Sequence, residues 1–449
     1  MDIYIKKLLR IITYIIIFDV ILFGAGKMIS VGSISLRMML YVAAFLLMLI
    51  YMFAKGFNVK DLKLSNIHVK LILIFLVYVV FAAVNGYYFQ HHALGYVISD
   101  VTGFMTLFII FLFNITIQDE YEIKRIAAFI AFAVTIQSVM LLSMHYLLST
   151  GVLSFNGVNY VLQNYYLGFL SYVAPHTVRI FLKSSIYLQI GFTILLVIIT
   201  EEKNKKHLVL EYFCLVLILY ATILTFTRGF WVGVAIAFII LLSTTKVKNI
   251  MRTIVILIIG VSIMLGLSIA AKGNLNVVAS IISRTDLVKP AVLMELFHYK
   301  ETPEIYTDQN QEGQDLTLQY RDNLTHYMLK NIEKHPVIGN GFGVIISELK
   351  QTASKCEFMY LDIIMEMGII GFALFAMIIL VLYKKWIEIR KTNKGNPTLP
   401  YINAFMASLA GVLFTSALNP FLNNPIGLTY LVFVISAVNV YIKDEANKE

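Results

Sequence analysis

The chain is written in long apolar runs separated by short polar and often basic interruptions. Met38 to Phe53, Leu71 to Val84, Ile186 to Ile199, Val232 to Leu242 and Ile369 to Leu382 lie in stretches that approach or exceed the roughly 20 residues a helix needs to cross a bilayer. A segment in lipid must satisfy its own backbone hydrogen bonds, which selects helices, and the two-residue alternation of a membrane barrel is missing. The runs predict spans near residues 8–26, 36–54, 67–88, 96–116, 124–147, 183–199, 207–226, 229–244, 251–271, 358–383, 400–418 and 421–442. The expected fold is all-α: one polytopic membrane domain over residues 1–449 with about 12 transmembrane helices, no internal repeat and no low-complexity segment.

Charge orients these spans. If Lys6, Lys7 and Arg10 hold the start of the chain in the cytoplasm, the loops on that side carry Lys55, Lys60, Lys63 and Lys70, then Lys124 and Arg125, then Lys203, Lys205 and Lys206. They continue with Lys246, Lys248 and Arg252, with Lys384, Lys385, Arg390, Lys391 and Lys394, and with Lys443 and Lys448, so most of the 36 Lys and Arg fall on one side. That is the positive-inside pattern, and it places both ends of the chain in the cytoplasm. The first span follows a basic start without a convincing cleavage site and reads as an uncleaved anchor.

Composition agrees. With 59% hydrophobic and 14% charged residues and a mean hydropathy of +0.78, the chain holds more apolar surface than a soluble core of this length can hide. The net charge of +9 follows from topology, so no nucleic acid is required as a partner, and its cytoplasmic share suits anionic lipid headgroups. Cys214 falls inside a predicted span and Cys356 outside it, so no disulfide is expected between them. No Cys/His spacing suggests a metal, and no cofactor is expected.

Two predicted outer segments interrupt the membrane pattern. Residues 148–182 are rich in Tyr and Asn, and Tyr165, His176 and Arg179 are its candidates for contact with a glycan. Aromatic and amide groups suit sugars, but aromatic residues also populate membrane interfaces, so both readings stay open. The second segment, 272–356, is too long to be a mere connection and collects many acidic residues. Within it Tyr320, Leu324, Tyr327, Met328 and Ile332 recur at helical spacing, predicting an amphipathic helix over 317–334 that Pro336 ends, with Arg321 beside the apolar stripe. Gly339-Asn340-Gly341-Phe342-Gly343 follows; it permits either N–H groups aimed at an anion or a tight turn back to the membrane.

The sharpest local feature is Thr225-Phe226-Thr227-Arg228-Gly229-Phe230-Trp231-Val232-Gly233, where one span turns directly into the next. An arginine there asks for a partner: phosphate oxygens, or the outer headgroups to which it would snorkel. Arg321 is expected on the same side, and two guanidinium groups can bind a diphosphate bidentately. Glu357 opens the tenth predicted span, where a carboxylate can accept a proton from a hydroxyl or merely favour a helix N-terminus.

These residues resemble the O-antigen polymerase and O-antigen ligase superfamily, that of the Wzy-like polysaccharide polymerases. The resemblance covers the layout of the chain and, specifically, residues 221–371. Thr227-Arg228-Gly229 looks like the family's Ser/Thr-Arg-Gly motif. Arg321 before Pro336-Val337-Ile338-Gly339-Asn340-Gly341 looks like its loop arginine and Pro-x-x-Gly-x-Gly element, and Glu357 to Leu361 followed by Glu366-Met367-Gly368 looks like the segment opening the next span. The resemblance implies a GT-C-like helical bundle, metal-independent inverting glycosyl transfer and substrates linked through diphosphate to undecaprenyl. It further implies the bacterial cytoplasmic membrane as location and a chain-length regulator as a possible partner. Arg228 and Arg321 would hold the diphosphate, and Glu357 would orient or deprotonate the acceptor hydroxyl.

One departure matters. The resemblance would place a histidine near Cys356-Glu357-Phe358 in a ligase, and none stands there; His326 and His335 lie earlier, at a spacing that does not match. This tilts the reading towards a polymerase of repeat units, with a ligase that transfers finished chains as the alternative. A secondary transporter is the competitor from another class, for which Asp19 and Asp100 would be the intramembrane charges. Asp19 reads more naturally as paired with a polar group of a neighbouring helix.

Overall fold

A computed structural model describes residues 2–24, 30–31, 34–56, 59–174, 177–201, 204–245, 250–272, 307–349 and 356–442. The chain begins with α1 (Asp2–Phe23), a short hairpin of β1 (Ser30–Val31) and β2 (Ile34–Ser35), and α2 (Leu36–Ala54). α3 (Ile67–Val84) runs into a π-turn at Asn85–Phe89, and α4 (Leu94–Met105) and α5 (Ile109–Thr116) follow as one interrupted rod. α6 (Glu120–Ser149) leads to α7 (Phe155–Asn164) and an antiparallel hairpin of β3 (Gly168–Ala174) and β4 (Thr177–Leu182). α8 (Ile186–Glu201), α9 (Lys205–Leu224), α10 (Arg228–Thr244) and α11 (Ile250–Lys272) come next. After α12 (Thr307–Lys334) the chain closes with α13 (Met359–Thr392), α14 (Leu399–Ser416) and α15 (Pro425–Asn439).

Each predicted span falls on helix, that of 96–116 on α4 and α5 together. Eight are long and apolar enough to cross a membrane: Leu36–Ala54, Ile67–Phe89, Leu94–Thr116, Glu120–Ser149, Lys183–Glu201, Lys206–Leu224, Met359–Thr392 and Leu399–Ser416. This is a multi-pass, predominantly helical membrane protein. Arg228–Thr244, Met251–Gly266 and Pro425–Asn439 are apolar but shorter, and α1 carries Lys6, Lys7, Arg10 and Asp19 along its length. Local sequence sets the starts. The side chains of Ser35, Asn66, Asp119, Asn204 and Asn424 each accept a first-turn N–H, and Pro425 needs none at its position.

Burial separates centre from rim. α8 and α15 are buried along almost their whole length and α14 along most of it, whereas α2 turns Val42, Phe45, Leu46, Leu49 and Phe53 outward, as a lipid-facing helix does. α14 lies against α10 through glycines: a side chain on Gly411 would strike the Gly233 carbonyl, and one on Gly233 would strike Gln189 and Thr415. Small residues at such a crossing let the two backbones meet.

The two charges considered for a transport path have structural partners. Asp19 accepts from Arg37 Nε at 2.7 Å, a buried ion pair between α1 and α2, as its expected pairing with a neighbouring helix required. Asp100, on α4, accepts the Gly343 N–H at 3.0 Å. The β3–β4 hairpin was not foreseen in the Tyr- and Asn-rich segment. Its inward residues Leu170, Val178, Ile180 and Leu182 alternate with outward ones, a strand pattern beside the stronger aromatic signal.

Candidate active site

The helix predicted within the long segment exists as α12, starting ten residues earlier than the 317–334 the stripe suggested. Leu324 and Met328 are fully buried against Val344, Ile346, Cys356 and Met365, with Tyr327 and Ile332 at the margin, so α12 docks on the start of α13 through its own small core. The docking places Arg321 beside Glu357, two residues ahead of α13. Arg321 Nε donates to Glu357 Oε2 at 2.8 Å, and both side chains remain about two-fifths exposed, at 39% and 43%. An ion pair this open contributes little to stability, so its geometry matters more for what it presents to the outside.

Arg228 stands on a tightly built turn. Phe226 has φ +49°, a left-handed conformation that a bulky aromatic residue rarely adopts, and its ring is buried. Hydroxyls hold the turn. Thr225 Oγ1 donates to Thr222 O at 2.7 Å, and Thr227 Oγ1 donates to Thr225 O at 3.1 Å. Trp231 Nε1 also reaches Thr222 O, at 3.2 Å. Thr227 stands at the N-cap position of α10 without a side-chain capping bond, and the first residue of that helix is the exposed Arg228.

Arg179, a candidate for sugar contact, is spent differently. From β4 its Nε donates to Thr225 O and its Nη2 to Thr227 Oγ1, each at 3.1 Å, bracketing the strained Phe226. Its guanidinium also lies 5.5 Å from the Phe181 ring centre. Arg179 therefore ties the β3–β4 hairpin to the turn that presents Arg228. Tyr165 closes α7 and is 43% exposed, and His176 lies outside the described residues.

A continuous set of contacts runs from the Arg228 turn to Glu357. Thr415 Oγ1 donates to Gly229 O at 3.1 Å, and the Phe230 ring packs between Phe181 and Phe421 at centroid distances of 6.3 and 5.7 Å. Two residues past Phe421, Asn423 Nδ2 donates to Asp362 Oδ2 at 2.9 Å. Asp362 Oδ1 in turn accepts the Cys356 N–H at 3.3 Å, immediately before Glu357. Packing and hydrogen bonds thus link the starts of α10 and α13 through the α14–α15 turn. Sequence reasoning passed over Asp362 and Asn423, although a carboxylate one turn inside an apolar helix is a signal of its own.

The glycine-rich element settles its two readings. Gly341 N bonds Glu366 O at 2.9 Å, Asn340 N bonds Met365 O at 2.9 Å, Phe342 N bonds Ala82 O at 3.1 Å, and Gly343 N bonds Asp100. These N–H groups are committed to protein, so the element is an anchor threaded between α3 and α13 and not an anion cradle. Gly339, Gly341 and Gly343 all have positive φ, and α13 opens at Gly368, φ +64°, to receive this segment. A side chain on Gly341 would strike the Gly86 backbone, and one on Gly368 the Val337 carbonyl.

Residues 213–376 match the family described as O-antigen ligase. The stretch runs from α9 into α13 and contains Arg228, Arg321 and Glu357, which supports the resemblance to the O-antigen ligase and polymerase superfamily. No curated protein matches the chain.

Proposed function

We propose that this protein joins oligosaccharide repeat units carried on undecaprenyl diphosphate into an O-antigen or capsular polysaccharide, at the outer face of the bacterial cytoplasmic membrane. The observation that carries the reading is the Arg321–Glu357 pair at 2.8 Å, which contacts through Asp362, Asn423 and Phe421 link to the turn that carries Arg228. Arg228 and Arg321 neutralise the donor's diphosphate and stabilise its charge as it leaves. When the diphosphate takes up Arg321, Glu357 is released to accept the proton of the acceptor hydroxyl. The hydroxyl oxygen attacks the anomeric carbon, the carbon–oxygen bond to the phosphate breaks, the centre inverts, and lipid diphosphate departs with the electron pair. Two guanidinium groups do the charge neutralisation that other enzymes assign to a metal. In this reading the chain crosses the membrane twelve times as a GT-C-like bundle with both ends in the cytoplasm, and a chain-length regulator is a candidate partner.

The test is complementation of a deletion strain. Arg228→Ala, Arg321→Ala and Glu357→Gln each leave single repeat units on the surface glycan while the protein still inserts, a loss of at least about a hundredfold in polymer. Arg→Lys at either position recovers only part, because a point charge lacks the planar fork. Full-length polymer from the Arg228→Ala and Arg321→Ala strains overturns the mechanism. The description of the matching family favours one alternative, transfer of finished chains to a lipid or cell-wall acceptor. Loss of a ligase strands long polymer on the lipid carrier, so the deletion phenotype separates the two.

A further inference from the structure

We propose that the beginnings of α1 and α6 form a site for the phosphate of an anionic phospholipid, at the end of the bundle opposite Glu357 and the start of α13. A cleft of about 460 Å³ opens there, lined by Lys6, Lys7, Arg10 and Arg125 together with Ile3, Ile11 and Tyr14. Four cations and no carboxylate form its wall. The nearby acids lie behind it with partners of their own, although Glu122 Oε2 has no hydrogen-bond partner in the structure. Buried Glu122 holds Arg10 Nη2 at 3.0 Å and Arg125 Nη1 at 3.6 Å, and Asp119 caps α6 through the Glu122 N–H. Asp61 accepts from Lys55 and Tyr51, and Lys6 donates to Gln118.

Two donors of the lining still lack an acceptor. Arg10 Nε and the Tyr14 hydroxyl are buried without a hydrogen-bond partner in the structure, an arrangement that costs free energy unless an acceptor arrives. A phosphate diester offers acceptor oxygens only. The remainder of the lining is apolar, and Ile3 and Ile11 are exposed at 79% and 47%, which suits acyl chains and gives a free phosphate ion nothing. The Tyr14 ring is fixed edge-on against Phe129 at 4.8 Å, so its hydroxyl is held in place before any ligand binds. By the positive-inside asymmetry, this end faces the cytoplasmic leaflet, where anionic lipid is available.

The test uses the purified full chain in neutral detergent, titrated with phosphatidylglycerol, phosphatidylcholine or inorganic phosphate. Retained lipid is counted by native mass spectrometry and stability is followed by thermal unfolding. Phosphatidylglycerol is retained and raises the unfolding midpoint, and phosphatidylcholine does neither. The double variant Lys7→Gln with Arg125→Gln lowers apparent affinity by on the order of thirtyfold, whereas Lys384→Gln with Lys391→Gln, the same charge change elsewhere on the same predicted side, leaves it unchanged. Lys7→Gln alone, at an exposed side chain, carries an expected loss of about fivefold and serves if the double variant does not fold. Equal retention of both lipids, or equal losses from the two double variants, overturns the site. Stabilisation by inorganic phosphate matching that by phosphatidylglycerol makes the ligand free phosphate and overturns the lipid assignment.

Discussion

Arg179 shows how a residue's identity can be legible while its role is not. A basic residue among aromatic rings invites a sugar ligand, yet its two hydrogen bonds go to Thr225 and Thr227, 46 and 48 residues further along the chain. That pairing depends on the register of a hairpin the hydrophobic pattern did not announce. Hydrogen bonds from a charged donor are worth about 1.5–3 kcal/mol each, enough to hold Phe226 in its unfavourable conformation and so to aim Arg228. Arg179→Ala is therefore expected to lower polymer yield at least about tenfold with the protein still inserted. Arg179→Lys should recover little, since one ammonium cannot span both acceptors. Normal polymer from Arg179→Ala, read from the ladder of surface glycan on a gel, would mean the turn stands without its brace. Arg228, Arg321 and Glu357 were visible for a different reason: Arg228 and Glu357 are charges at the starts of apolar helices and Arg321 stands beside the apolar stripe of α12, positions conspicuous in any sequence, and Arg321 and Glu357 do meet.

At the scale of elements, α12 was legible because Leu324 and Met328 repeat at helical spacing, and both prove fully buried. The role of the threaded glycine-rich segment was not legible. Glycines announce freedom without saying whether it serves a ligand or a close backbone approach, and only the neighbours Gly86, Glu366 and Asp100 decide between them. The distinction predicts unequal costs for equal substitutions. Gly341 and Gly56 share positive φ, at +75° and +62°, but a side chain on Gly56 meets open space and one on Gly341 meets the Gly86 backbone. Gly56→Ala should lose about 1 kcal/mol of stability from conformation alone. Gly341→Ala should lose a further 1–3 kcal/mol or so from overpacking, enough to displace α12 and Arg321. Thermal unfolding of the two variants in detergent checks this directly: midpoints lowered equally would show that no close approach exists at Gly341.

For the whole molecule, period and composition reveal that helices run through a bilayer, because lipid imposes the same demand on each of them. They do not reveal which helices sit at the centre. α2 and α8 are both strongly apolar, yet α2 lies on the rim and α8 is buried, since contact with lipid and contact with protein call for similar side chains. Orientation rests on the distribution of Lys and Arg, and it carries the chemistry with it: the pair Arg321–Glu357 can meet a flipped lipid-linked glycan only if its end of the bundle faces outward. Ser154, exposed just before α7, and Lys394, exposed between α13 and α14, lie at opposite ends of the predicted topology. In a background with Cys214 and Cys356 replaced by serine, Ser154→Cys should react with a membrane-impermeant maleimide in intact cells, and Lys394→Cys only after the membrane is opened. Labelling of Lys394→Cys in intact cells would place Arg321 and Glu357 in the cytoplasm, away from the extracytoplasmic pool of substrate, and the glycan-transfer reading would fail however close the two side chains stand.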